Sequence, residues 1–238
     1  MPFYPMMYGF GMFDPMYLLF VVVPLILSMW ASTRVNSTFK KFSKYGNGRN
    51  MTAAQVTRMI LDRNGQRDVA IERVSGNLTD HYDPRNNTIR LSESVYDSTS
   101  VSAIGVAAHE AGHAAQYASG YFPIKVRNTI APVANFASQL AVPLILIGFL
   151  FSWFGLINIA IILYAVVVVF SLVTLPVEFN ASRRAIQTLD SYGVLTMEEN
   201  EAAKKVLKAA AMTYIVSTLA SVGSLLFLLF RTGGGNRE

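Results

Sequence analysis

His109-Glu110-Ala111-Gly112-His113 sets two imidazoles four residues apart. On an α-helix, residues i and i+4 share a face, so both rings can reach one Zn²⁺ ion at about 2.0–2.1 Å. Glu110, beside the first ring, is placed to take a proton from water whose pKa a zinc ion lowers toward about 7. The chain has only three histidines, His81, His109 and His113, and two of them form this pair. The competing reading is a helix that packs two ordinary histidines against polar partners. Two imidazoles around a carboxylate on an Ala-rich helix make a poor apolar core, which favours the metal.

A catalytic zinc takes three protein ligands and leaves the fourth position to water. With no cysteine in the chain, the third ligand must be His, Asp or Glu, and Glu178, His81 and Asp190 are the candidates. Glu178 stands where a long charge-free stretch ends. That stretch leaves and returns as a hairpin, so Glu178 arrives on the same side as His109 and His113. Its alternative role is a boundary carboxylate paired with Arg183 or Arg184. His81 lies in the turn-like Thr79-Asp80-His81-Tyr82-Asp83-Pro84, as a ligand, a donor to the oxyanion of a tetrahedral intermediate, or a surface histidine. Asp190 follows a basic amphipathic stretch, where a structural role is the simpler one. Tyr82, Tyr192 and Tyr214 are further oxyanion donors in principle, and packing tyrosines in the simpler reading.

These residues must be positioned by a chain of 238 residues that is 52% hydrophobic and 15% charged, with mean hydropathy +0.36. That is too apolar for a soluble domain of this size, and it indicates a membrane protein with a small extramembrane part. The first span occupies residues 15–31, with no basic residue before it and no small-residue cleavage site after it, unlike a signal peptide. Residues 128–177 carry no charge. As helix they would run about 75 Å, enough to cross a core of about 30 Å twice, with a turn near residues 152–158. Residues 209–230 form a fourth span, and residues 231–238 a disordered tail. The basic residues Arg34, Lys40, Lys41, Lys44, Arg49, Lys125, Arg127, Arg183, Arg184, Lys204, Lys205 and Lys208 all fall on one side, which the positive-inside rule makes cytoplasmic. The formal net charge of +5 therefore reflects topology, and nucleic acid is not an expected partner.

Residues 32–127 hold most of the soluble chemistry, and residues 178–208 supply a glutamate-bearing helix and the one after it. Thr52 and Gln55 form a capping box, and Gly65 ends the helix they begin. Residues 69–74 and 88–91 are expected as short strands around the turn Asp83-Pro84-Arg85-Asn86-Asn87. Thr88-Ile89-Arg90-Leu91 is expected to be an edge strand able to pair an extended substrate. The metal-site helix should run from about Ser100 to Ala118, stopped by Gly120.

Together, the first span, the block Leu78 to Ser92, the helix around His109-Glu110-Ala111-Gly112-His113 and the block Val177 to Ala185 resemble the bacterial YugP-type neutral zinc metallopeptidase family. These are membrane-embedded proteases, and the resemblance covers nearly the whole chain. It implies a zinc endopeptidase of the gluzincin type, distantly similar to the CAAX-protease and heat-shock-protease group. In that group the third ligand opens a Glu-x-x-Ala-Asp pattern. Glu178 and Ala181 match it here, with Ser182 in place of the Asp, so a hydroxyl is expected to replace the supporting carboxylate only in part. The fold expected is mainly α, a multi-pass cell-membrane protein with four transmembrane helices and a small cytoplasmic α+β zincin-like domain. Its partners are then the lipid bilayer and membrane-protein or peptide substrates. His109, His113 and Glu178 would hold Zn²⁺, with Glu110 as base and His81 or a tyrosine assisting. A site-2-type intramembrane protease using Asp190 and an inactive scaffold are the alternatives.

Overall fold

The structure is a computed structural model and describes residues 15–233. The expected external N-terminus and the tail beyond residue 233 lie outside the described residues. The helices are α1 (Pro15–Tyr17), a π-helical turn (Leu18–Val22), α2 (Val23–Phe42), α3 (Ala53–Arg63), α4 (Val101–Ala118), α5 (Phe122–Leu150), α6 (Phe154–Ser191) and α7 (Met197–Gly233). Three strands, β1 (Ala70–Val74), β2 (His81–Asp83) and β3 (Thr88–Ser92), form one small sheet. The described residues divide into two compact units, one of residues 15–31, 128–173 and 214–233 and the other of Ser32–Arg127 and Thr174–Thr213.

Four helical stretches are long and apolar enough to cross a membrane: Leu18–Phe42, Phe122–Leu150, Phe154–Ser191 and Met197–Phe230. In the first unit Leu25, Leu146, Ile162 and Leu219 stay 59–67% exposed. In water that would be a large uncovered apolar surface, whereas lipid tails leave it at no disadvantage. Buried side chains of this unit include the small Ala134, Ala137, Ala141 and Ala160 beside the larger Ile157, Phe227 and Leu228. The turn between α5 and α6 is tighter than the sequence implied. It closes at Ser152, whose φ is +51°, with the Trp153 N–H donating to Gly148 O at 2.8 Å. A Cβ on Gly148 would lie 2.5 Å from Ile157 Cγ1, so the short turn depends on that glycine.

The second unit is built on α4. Ser100 caps it, accepting the Ala103 N–H at 3.3 Å, and most of its residues are buried, which is why Ala, Gly and Ser dominate it. Small side chains let neighbours approach from several directions. Helix α3 begins at the reciprocal Thr52–Gln55 capping box and packs Val56, Ile60 and Leu61 into the same core as Ile104, Ala107, Ala111, Leu189 and Val206. Gly65, at φ +72°, follows the C-cap Asn64. Helix α7 also starts with a reciprocal pair, Thr196 N–H to Glu199 Oε2 at 2.8 Å and Glu199 N–H to Thr196 Oγ1 at 3.3 Å.

The sheet order is β1-β3-β2, with β1 parallel and β2 antiparallel to β3. Thr88–Leu91 is therefore the central strand and cannot pair a substrate backbone, contrary to the sequence expectation. Its Thr88, Ile89, Leu91 and Ser92 are all buried, the pattern of a strand covered on both faces. His81-Tyr82-Asp83, expected as turn, forms β2 because Tyr82 pairs with Ile89 and Asp83 with Thr88. The Asp83 carboxylate then folds the connection, accepting the Arg85 N–H at 3.0 Å and Asn86 Nδ2 at 3.2 Å.

Candidate metal centre

His109 and His113 project from α4 with their rings edge to face, centroids 4.7 Å apart. Opposite them stands Glu178 of α6, buried at 2% exposure. Its Oε2 is 3.1 Å from His109 Nε2 and 3.6 Å from His113 Nε2. One ligand atom from each residue lies within 4.8 Å of the others. Tetrahedral zinc with bonds of about 2.0–2.1 Å holds its ligand atoms about 3.3 Å apart, so the two measured separations bracket what the ion needs. Two imidazoles and one carboxylate, each presenting one atom, are also the right donor chemistry.

Gly112 sets the closeness of the two helices. A Cβ there would meet Ala181 O at 2.6 Å, so only glycine lets α4 approach the turn of α6 that carries Glu178 and Ser182. The glycine between the two histidines is thus part of the site's construction. Both ring Nδ1 atoms are held from behind. Ser182 Oγ lies 3.1 Å from His109 Nδ1, the place where a carboxylate was expected to be replaced, and Gln116 Oε1 lies 3.0 Å from His113 Nδ1. The rear oxygen of Glu178, Oε1, is 3.8 Å from Arg127 Nη2, so the carboxylate's charge partner is Arg127 rather than Arg183 or Arg184.

Burial alone would lower the pKa of His113, but the nearby Glu178 carboxylate and the charge of Glu110 outweigh this and raise it. The pocket attracts positive charge. Glu110 is buried next to His109 in sequence, and its charge reaches Asp80, whose carboxyl is raised by burial and by Glu110 against the hydrogen bonds of Ser92.

His81 is not brought into the ligand group. It is exposed on β2, with Nδ1 2.9 Å from Thr79 O. Asp190 is exposed near the end of α6 and also stands outside the group. The hydroxyls of Tyr82 and Tyr192 are engaged elsewhere, donating to Asn87 Oδ1 at 2.8 Å and Asn64 Oδ1 at 2.7 Å. Gln116, Asn180 and Arg127 were not singled out from the sequence as site residues. The available signal was helical spacing for Gln116, three residues beyond His113; Asn180, two beyond Glu178, carried no such signal.

Four helices fit to cross a bilayer and a buried His-His-Glu group define a multi-pass membrane protein equipped to hold one metal ion. The chain belongs to the family described as "Putative neutral zinc metallopeptidase", which matches residues 17–232. It is 46% identical over 211 residues to "Putative membrane protease YugP" of Bacillus subtilis (strain 168), covering 89% of this chain and 94% of that protein. The resemblance read from the motifs is borne out. No solved structure matches the chain.

Proposed function

We propose that this protein is a zinc-dependent endopeptidase of the gluzincin type, hydrolysing membrane proteins or peptides at the cytoplasmic face of the cell membrane. The observation that carries the reading is the convergence of His109 Nε2, His113 Nε2 and one oxygen of Glu178, with Glu110 next in sequence to the first ligand. A helix bearing this pair beneath a small mixed sheet is zincin-like. The distribution of basic residues supports the cytoplasmic orientation.

His109, His113 and Glu178 would hold Zn²⁺, which when bound supplies a Lewis acid that polarises the scissile carbonyl and acidifies water. Three protein ligands leave a position open for chemistry, whereas a purely structural site is normally closed by a fourth. Glu110 removes the proton from the attacking water and returns it to the leaving amine. Arg127 balances the charge of Glu178 on the side away from the histidines. His81, exposed on the edge strand β2 and outside the ligand group, keeps the role of assisting donor to the oxyanion. The site-2-type alternative requires Asp190 as a ligand, and that residue's exposure speaks against it. An inactive scaffold has no use for a buried Glu110 beside the ligand pair.

The test separates base from ligands. Glu110→Gln should keep about one zinc per chain while peptide cleavage falls by on the order of 10² or more. His113→Ala and Glu178→Ala should lose metal and activity together. Zinc-free wild-type protein after growth in zinc-replete medium, or a Glu110→Gln enzyme as fast as wild type, would sink the proposal.

A further inference from the structure

Gln116 is completely buried and each of its hydrogen-bonding groups facing the site is engaged. Its Nε2 donates to Val177 O at 2.8 Å and to Asn180 Oδ1 at 3.0 Å, and its Oε1 faces His113 Nδ1 at 3.0 Å. The direction of these bonds follows from elementary chemistry. A backbone carbonyl can only accept, so the amide nitrogen must point at Val177. Asn180 Oδ1 also receives Arg184 Nε at 2.8 Å, and a guanidinium can only donate, so the atom Asn180 offers Gln116 is its oxygen. Two groups with no choice of role therefore fix the orientation of the Gln116 amide. The amide oxygen is left facing His113, and an amide oxygen can only accept. His113 must then carry its proton on Nδ1, which leaves the Nε2 lone pair directed toward Glu178.

We infer that Gln116 is a positioning residue that locks His113 in the Nδ1–H tautomer. Through Val177 and Asn180 it ties that tautomer to the helix carrying Glu178, so that both ligands are aimed at one point before an ion arrives. At His109 the Ser182 hydroxyl behind the ring can either donate or accept, so that contact imposes no tautomer of its own. The inference rests on the metal reading of the site, but concerns the proton on the metal-free ring as well as metal affinity.

The experiment uses full-length protein in detergent, stripped of metal, with ¹⁵N-labelled histidine. Three histidines give a spectrum simple enough to assign by single replacement. Above the imidazole titration range, wild type should show His113 as the Nδ1–H form. Gln116→Met, of similar size but with neither amide group, should show a mixture of tautomers, and its zinc affinity should fall about 10- to 100-fold. Gln116→Glu keeps an acceptor toward His113 but loses both donors to Val177 O and Asn180 Oδ1, so it should keep the Nδ1–H signal while its zinc affinity falls. Asn180→Asp, which still accepts from Gln116 and Arg184, should retain the wild-type tautomer. A merely structural Gln116 would lower thermal stability in Gln116→Met without changing the tautomer or the affinity, and that result overturns the inference. An Nε2–H signal for His113 in wild type overturns it too. If wild type failed to bind zinc, the metal reading would fall, while the tautomer signal would still decide this inference.

Discussion

Ser182 does at His109 what an acidic side chain would do more strongly. Its oxygen sits 3.1 Å from Nδ1, so the supporting contact exists, but a neutral hydroxyl adds little basicity to the ring. Ser182→Asp should place an obligate acceptor there and raise zinc affinity by on the order of tenfold, while Ser182→Ala should lower it by a similar factor. Competition with a chromogenic chelator measures both, and equal affinities in all three proteins would show the contact to be inert. Asp80 offers a test away from the ligands. Its carboxylate accepts the Ser92 N–H at 2.8 Å and Ser92 Oγ at 2.9 Å, holding the segment before β2 to the end of β3. Burial chiefly, with Glu110 adding, raises its pKa above the ordinary value. A carboxyl with a raised folded pKa holds its proton more readily folded than unfolded, so its contribution to stability falls as pH rises from the ordinary carboxylate range through the folded value. Asp80→Asn removes that titration, and the melting temperature of the variant should decline less than wild type's over the acid-to-neutral range. Parallel curves would contradict this assignment.

At the scale of elements, the crossing of α4 and α6 decides the site. Gly112→Ala drives a methyl against a backbone carbonyl, Ala181 O at 2.6 Å, which has no rotamer by which to yield. Overpacking of this kind costs about 1–3 kcal/mol. The helices must part where one carries the histidines and the other Glu178, so zinc affinity should fall about tenfold or more along with the melting temperature. Gly105→Ala is the control: its Cβ meets Ala203 Cβ at 3.3 Å, away from the ligands, so stability should change without loss of affinity. Equal zinc affinities in the Gly112 variant and wild type would remove the crossing from the account. The same distinction between local and non-local causes explains what the sequence revealed. The Thr52–Gln55 box, the helix from about Ser100 to Ala118 and strands β1 and β3 are written in neighbouring residues, and the structure has them as expected. Strand β2 is three residues long and exists through pairing with β3, so nothing local marks it. For the same reason, sequence reasoning misplaced β3 at an edge. Gln116, Asn180 and Arg127 acquire their roles only when α4, α5 and α6 bring them to Glu178 and His113.

For the whole molecule, length and charge set the topology. Helix α6 has 38 residues, about 57 Å at 1.5 Å per residue, against a hydrocarbon core of about 30 Å. Its residues 154–177 are uncharged and its later part carries Glu178, Arg183 and Arg184, so one continuous helix includes both a candidate span and the candidate ligand Glu178. Helix α7 has the reverse order, with Glu198, Glu199, Lys204, Lys205 and Lys208 first and the apolar run after. If all four apolar stretches cross the bilayer, the charged stretches between the first and second and between the third and fourth share one side, and the Phe151-Ser152-Trp153 turn lies on the other. The basic excess of those stretches is what the proposed cytoplasmic orientation requires of their side. Reporter fusions at Arg49 and Lys204 should therefore read as cytoplasmic, and a fusion in the turn at Ser152 as external. Because Glu178 follows the third crossing and His109 precedes the second, the same arrangement is required for the ligands to meet. A fusion at Lys204 reporting the same side as Ser152 would break both the four-span topology and the joint access of Glu178 and the histidine pair to one ion.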